Sequence, residues 1–115
     1  MAQSNDLPCQ FGMFIGDIMR LMRRRFDARL RRLDLSYAQA KVLLSLARTP
    51  GMRQAPLAEK LEIQPITLGR LIDRMERAGW IERRADPNDR RAKRLYLTPA
   101  ARPLLDRISA ELSAR

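Results

Sequence analysis

The stretch Trp80-Ile81-Glu82-Arg83-Arg84-Ala85-Asp86-Pro87-Asn88-Asp89-Arg90-Arg91-Ala92-Lys93-Arg94-Leu95-Tyr96-Leu97 decides how this chain folds. Residues 80–84 read as a strand. Asp86-Pro87-Asn88-Asp89 carries strong turn chemistry, with Pro at the second turn position. Residues 91–97 read as the returning strand, with Lys93, Leu95 and Leu97 on one face and Arg94 and Tyr96 on the other. The hairpin holds six cations: Arg83, Arg84, Arg90, Arg91, Lys93 and Arg94. So many like charges on one short hairpin point to a polyanionic partner. A narrow hairpin tip suits a minor groove, where negative potential favours Arg. Asp89 is the odd anion, and its expected role is to hold the Arg91 guanidinium in one direction through a charge-assisted bond.

Moving N-terminal, the period changes from 2 to 3.6. Leu68, Leu71, Ile72 and Met75 fall at i, i+3, i+4 and i+7, which predicts a helix opening at Pro65 and capped by Gly79. A shorter helix is expected over 54–61, with Leu57, Ala58 and Leu61 inward. The tight connection Glu62-Ile63-Gln64 joins the two. Before it, Ser36 reads as the N-cap of a helix that Thr49-Pro50-Gly51 stops. Two helices across a tight turn, followed at once by a hairpin, make a winged helix-turn-helix.

The flanks are helical as well. From Pro8 to about Leu33 an apolar stripe (Phe11, Phe14, Ile15, Ile18, Leu21, Met22, Phe26, Leu30) opposes an Arg-rich face, and the stripe needs a partner in the domain or in a second subunit. Thr98-Pro99 is expected to cap a last helix with Leu104, Leu105, Ile108 and Leu112 inward. The domain reading is therefore a flexible leader over 1–7 and one domain over 8–115. Its parts are an N-terminal helix (8–34), a winged helix-turn-helix lobe (36–97) and a C-terminal helix (98–115). The expected fold class is mainly α with a small β-hairpin wing.

Composition narrows the function. The 115 residues carry 23 Lys plus Arg against 13 Asp plus Glu, a formal net charge of +10. A small folded domain this basic meets a polyanion, with nucleic acid ahead of an anionic membrane surface. The Arg-rich face of the first helix lacks the Trp that an interfacial helix uses. There is no His and one Cys, Cys9. This excludes Ser-His-Asp and Cys-His catalysis, the usual zinc ligand sets and any disulfide within the chain. No acid/base pair or phosphate-binding loop argues for an enzyme, and no cofactor is implied. The polar N-terminus lacks a signal-type apolar core and the expected location is cytoplasmic.

In the second helix of a helix-turn-helix, the N-terminal residues approach base edges in the major groove. That nominates Gln64, Pro65, Ile66, Thr67, Arg70 and Arg74. Arg70 has the reach for guanine O6 and N7, and Thr67 suits a phosphate or a thymine methyl. On the wing, Asp89, Arg90, Arg91 and Lys93 complete the expected contact set. Read alone, the helix that opens at Pro65 and ends at Gly79 is equally consistent with a solvated basic face.

The run from Leu57-Ala58-Glu59-Lys60-Leu61 through Ile63-Gln64-Pro65-Ile66-Thr67-Leu68-Gly69-Arg70-Leu71-Ile72-Asp73-Arg74-Met75-Glu76-Arg77-Ala78-Gly79, with Ile81-Glu82-Arg83-Arg84 and Asp86-Pro87-Asn88-Asp89-Arg90-Arg91 to Leu97-Thr98, resembles the MarR family of bacterial regulators, and within it the SlyA-like branch. The resemblance implies a homodimeric repressor or activator on a palindromic duplex, with Thr67 and Arg70 on the recognition helix and Asp89, Arg90 and Arg91 on the wing. Under it, 8–34 is an N-terminal dimerisation helix, 36–97 the DNA-binding lobe and 98–115 a short or truncated C-terminal helix, the chain dimerising through its terminal helices. It also implies release by a small aromatic or phenolic effector held between the lobes, and Met13, Met19 and Met22 would line such a cleft or serve as core. Ile66 stands where the family often has Pro, and Ala101 where it often has Gly. Two alternatives accompany this reading. One is a winged helix serving as a protein-interaction module. The other is oxidant sensing through Cys9, placed at a helix start whose dipole favours a reactive thiol.

Overall fold

The computed structural model describes residues 3–113, with side chains from residue 8 onward. The elements are α1 (Gln3–Arg31), α2 (Tyr37–Arg48), β1 (Met52–Arg53), α3 (Gln54–Leu61), α4 (Pro65–Arg77), β2 (Ile81–Asp86), β3 (Asp89–Leu97), a short 3-10 turn (Pro99–Ala101) and α5 (Arg102–Ser113). The three strands form one antiparallel sheet in the order β1-β3-β2. The architecture is a winged helix, as the hairpin and helix pair predict.

Helix boundaries follow local chemistry. Ser36 caps α2 in a capping box, its hydroxyl accepting from the Gln39 N–H while the Gln39 side chain accepts from the Ser36 N–H. The end of α4 is a Schellman motif. Gly79 sits at φ 84, Trp80 N–H donates to the Met75 carbonyl and Gly79 N–H to the Glu76 carbonyl. Asp34 and Glu62 take the same left-handed conformation (φ 57 and 54) after α1 and α3 without being glycine.

The core sits where α2, α3, α4 and α5 close over the inner face of the sheet. Leu43, Leu57, Leu68, Ile72, Met75, Leu95 and Ile108 are fully buried there. The predicted inward faces of α3, α4 and α5 match this cluster and its half-buried rim.

Four expectations need correction. The leader assigned to 1–7 is helical from Gln3 onward, and residues 1 and 2 lie outside the described residues. Pro8 is thus inside α1 rather than at its start. That also moves Cys9 beyond the first turn, where the helix dipole no longer acts strongly. The thiol is exposed. Next, Met13, Met19 and Met22 are neither core nor cleft lining within the chain. They share an exposed apolar stripe on α1 with Phe11, Phe14, Ile15, Ile18 and Leu21, each about half to two-thirds exposed. Among the residues whose side chains are described, only the C-terminal part of α1 packs inward, through buried Leu30, half-buried Phe26 and an Arg29 bond to the Glu111 carbonyl (3.1 Å). Third, Thr98 occupies the N-cap position by backbone geometry, yet its hydroxyl donates to the Gly79 carbonyl instead of capping the turn. The hydroxyl therefore ties the end of β3 to the end of α4.

The fourth correction is β1, a strand absent from the sequence reading. Gly51, at φ 82, lets the chain reverse after α2, and its N–H donates to the Leu95 carbonyl (2.9 Å). Met52 and Arg53 then pair with Leu95 and Arg94. A Cβ on Gly51 would lie 2.9 Å from the Tyr96 hydroxyl oxygen, so both backbone angle and space demand glycine. A strand of two residues shows no alternation, and no periodicity argument can find it.

Candidate nucleic-acid interface

Helix α4 presents two faces. Leu68, Ile72 and Met75 are buried, whereas Gln64, Pro65, Ile66, Thr67, Arg70 and Arg74 are all exposed. Gln64 makes no side-chain cap bond, and Pro65 at the first turn has no N–H to satisfy. The Ile66 and Thr67 amides at this terminus therefore lack intrahelical acceptors and aim outward, with the positive end of the dipole behind them. Thr67, Arg70 and Arg74 line a shallow groove of about 300 Å³ with Ala38, Ile63 and Leu71, so the start of α2 borders the same surface. Ile66 is 73% exposed and has only apolar contact to offer.

The hairpin divides its cations into two groups. Arg83 is held by three partners: Asp73 (2.8 Å), Glu76 (3.0 Å) and the Gln54 side-chain oxygen (3.1 Å). This one guanidinium ties β2 to both helices of the helix-turn-helix. Arg84 pairs with Glu82 and lies over the Tyr96 ring, 4.2 Å from its centroid. Arg94 bonds Asp86 (3.1 Å) and the Gly51 carbonyl (3.2 Å). Internal anions thus satisfy three of the six cations whose mutual repulsion suggested a polyanion. Among the described residues Arg90, Arg91 and Lys93 have no ion pair, and all three are exposed.

Those three sit on or beside a bulge. Ala85 pairs with Lys93 but Asp86 pairs with Asp89, so Arg90, Arg91 and Ala92 have no residue opposite them on β2. The bulge turns this part of the chain out of the ladder. Asp89 acts here differently from expectation. Its carboxylate accepts from the Arg91 backbone N–H (3.0 Å), and no ion pair joins it to the Arg91 side chain. The aspartate shapes the backbone of the bulge and leaves the guanidinium available.

Asp86 was read only as a turn residue. Its side chain is fully buried and makes four hydrogen bonds. One oxygen accepts from the Asn88 N–H (2.9 Å). The other accepts from Arg53 Nε (3.0 Å) and Nη2 and from Arg94 Nε (3.1 Å). The Asn88 amide, then the Arg53 guanidinium, hold its carboxyl below the ordinary value of 3.8 despite burial; the charges of Arg53 and Arg94 add to this. The Asp-Pro-Asn signal marks the turn, but nothing in it discloses an arginine 33 residues earlier.

A second cleft, of about 650 Å³, opens between the end of α2, the base of the wing and the start of α5. Its lining includes Leu46, Pro50, Tyr96, Leu105 and the cations Arg84 and Arg102. No helix among the described residues is long and apolar enough to cross a membrane.

A helix pair followed by a cationic, bulged hairpin defines the class: a winged helix-turn-helix domain with its polar surface on α4 and the wing tip. The MarR family model matches residues 35–93, and the chain belongs to that family. Wild-type MarR of E. coli in its apo form superposes with a TM-score of 0.85 at 28% identity, over 88% of this chain and 74% of that one. A cysteine mutant of E. coli MarR complexed with operator DNA gives 0.81 at 26% identity, over 94% and 77%. A MarR-like transcription regulator of Bacillus cereus ATCC 10987 gives 0.81 at 25%, over 92% and 76%.

Proposed function

We propose that this protein is a transcription regulator that binds a specific double-stranded DNA sequence as a homodimer on a palindromic operator, acting as a repressor. One observation carries the reading: every cation of the wing without an internal partner lies at its tip, while α4 exposes Thr67, Arg70 and Arg74 beside uncapped amides. Arg70 reads a base edge in the major groove, Thr67 and the first-turn amides hold phosphate, and Arg91 enters the minor groove with Arg90 and Lys93 on flanking phosphates. That a mutant of E. coli MarR is known in complex with operator DNA supports duplex DNA as the partner. The unpartnered stripe of α1 supports a second copy as its cover. The composition supports a cytoplasmic location, and the wing motif supports the SlyA-like branch. The cleft beside Tyr96 supports release by a small aromatic ligand, with Arg102 at its rim suited to a carboxylate.

Selection of bound duplexes from a random pool, at stated salt, tests the reading. The expected outcome is an inverted repeat with half-sites about one helical turn apart. Arg70→Ala then loses discrimination at one position of each half-site, by about 1–3 kcal/mol. Recovery of no preferred sequence, or equal losses for Arg70→Ala on selected and random DNA, would overturn base readout.

A further inference from the structure

Beyond Arg94 the wing is a ribbon of two strands, because β1 reaches only as far as the Arg53–Arg94 pair. Two-stranded ribbons are marginal in water and twist freely, so the sheet alone does not dictate where the tip lies. What reaches the tip is a side chain. Asp86 closes the last pair of β2 with Asp89, at the foot of the bulge that carries Arg90 and Arg91. Its carboxylate is fully buried among Arg53, Arg94 and the Asn88 amide.

Arg53 matters by its location. It is the N-cap residue of α3, the first helix of the helix-turn-helix, and its own side chain makes no cap bond. Its guanidinium instead crosses the outer face of β3 to Asp86. Arg53 and Arg94 stand directly opposite one another on paired strands, where like charges repel. A single carboxylate accepting from both turns that repulsion into a three-membered clamp. The Gly51 carbonyl takes a further Arg94 bond and ties the clamp to the start of β1.

The geometry points to Asp86 as a positioning residue for DNA recognition: through Arg53 it sets the angle between the wing tip and the helix-turn-helix, and so decides whether Arg91 and Arg70 engage one duplex together. This rests on the DNA-binding reading above. Asp86 itself, buried and saturated with donors, touches no nucleic acid. It acts only through where it holds Arg90 and Arg91.

The test is a double-mutant cycle on the duplex that the wild-type protein selects. Asp86→Asn keeps the side-chain shape and the acceptor for Asn88 but removes the charge that gathers two arginines. We expect about a tenfold loss of affinity, together with a shallower salt dependence, as Arg91→Ala also gives. The double variant Asp86→Asn/Arg91→Ala should bind no worse than Arg91→Ala by more than about twofold, since a misplaced and a missing Arg91 are equivalent. Asp86→Asn combined with Arg70→Ala should instead show multiplied losses. Multiplied losses with Arg91→Ala, or unchanged affinity for Asp86→Asn, would overturn the assignment and leave Asp86 a stability element only. Arg53→Met approaches the clamp from the α3 side and should couple to Arg91→Ala in the same way, which keeps the test available if Asp86→Asn folds poorly. If the wild-type protein prefers no duplex, the DNA-binding reading fails by itself. The clamp is then read by amide exchange: residues 88–93 of Asp86→Asn should lose protection while α4 keeps it, and unchanged protection of 88–93 refutes the clamp.

Discussion

Arg83→Ala separates a structural cation from a DNA-contacting one. In the folded protein the Arg83 side chain is 19% exposed and bonds Asp73, Glu76 and Gln54, whereas its acidic partners are 48% and 43% exposed. Pairs this open to water contribute about 0.2–1 kcal/mol each. The bond to the neutral Gln54 oxygen adds about 0.5–1.5 kcal/mol. Removing the guanidinium also leaves Asp73 and Glu76 three residues apart on one helix face without a counter-ion, a repulsion of a few tenths. The expected cost is about 1.5–2 kcal/mol of unfolding free energy, measured by urea titration at a fixed protein concentration because dimerisation would shift the midpoint. High salt should shrink the difference, since half the network is solvent-exposed. In a cycle with Asp73→Ala the coupling should be about 0.5–1 kcal/mol. The same variant should leave the salt slope of DNA binding unchanged. A cation on a phosphate would lower that slope by about 0.9, as expected for Lys93→Ala. A stability change within about 0.3 kcal/mol of zero, or a slope reduced by about one, would refute the assignment of Arg83 to the internal network.

Other outcomes follow from the backbone and from Asp86. Gly51→Ala should destabilise by at least about 1–2 kcal/mol in thermal or urea unfolding, because its φ of 82 disfavours a Cβ and the new atom meets the Tyr96 hydroxyl. Glu62→Gly should raise stability by about 0.5–1 kcal/mol in the same assay, relieving a left-handed non-glycine residue at an exposed helix end. Asp86 has a carboxyl depressed by the Asn88 amide and Arg53, so its contribution is complete above the unfolded-state value near 3.8 and is lost as pH falls below that. Urea titrations at pH 6 and at pH 3 should therefore show wild-type stability converging on that of Asp86→Asn in acid, and a gap independent of pH would contradict the clamp chemistry.

Local signals determined the element order. Ser36 with Gln39, Pro65 and Gly79 are capping chemistry, and each terminus falls within a residue or two of where such residues place it. The hairpin was equally legible: an Asp-Pro-Asn-Asp turn between alternating segments leaves little freedom, though the returning strand starts two residues earlier than the alternation implied. The exposed face of α4 followed from the spacing of its apolar residues, and the family resemblance from the run 57–98.

What the sequence could not apportion was charge. Counted along the chain, the hairpin is a block of six like cations. In three dimensions Asp73, Glu76, Glu82 and Asp86 satisfy half of them, and Asp86 also holds Arg53, 33 residues away. Ion pairing at such separations depends on how strands and helices are stacked, a tertiary quantity with no local period. The same holds for β1, which exists only because β3 offers it a ladder, and for Asp86, whose burial depends on an arginine delivered from the start of α3. By itself the sequence determined a cationic wing beside a recognition helix, because capping, turn and amphipathic preferences act within a few residues. Only the packed fold decided which cations hold the wing together and which three, at its bulged tip, remain for a partner.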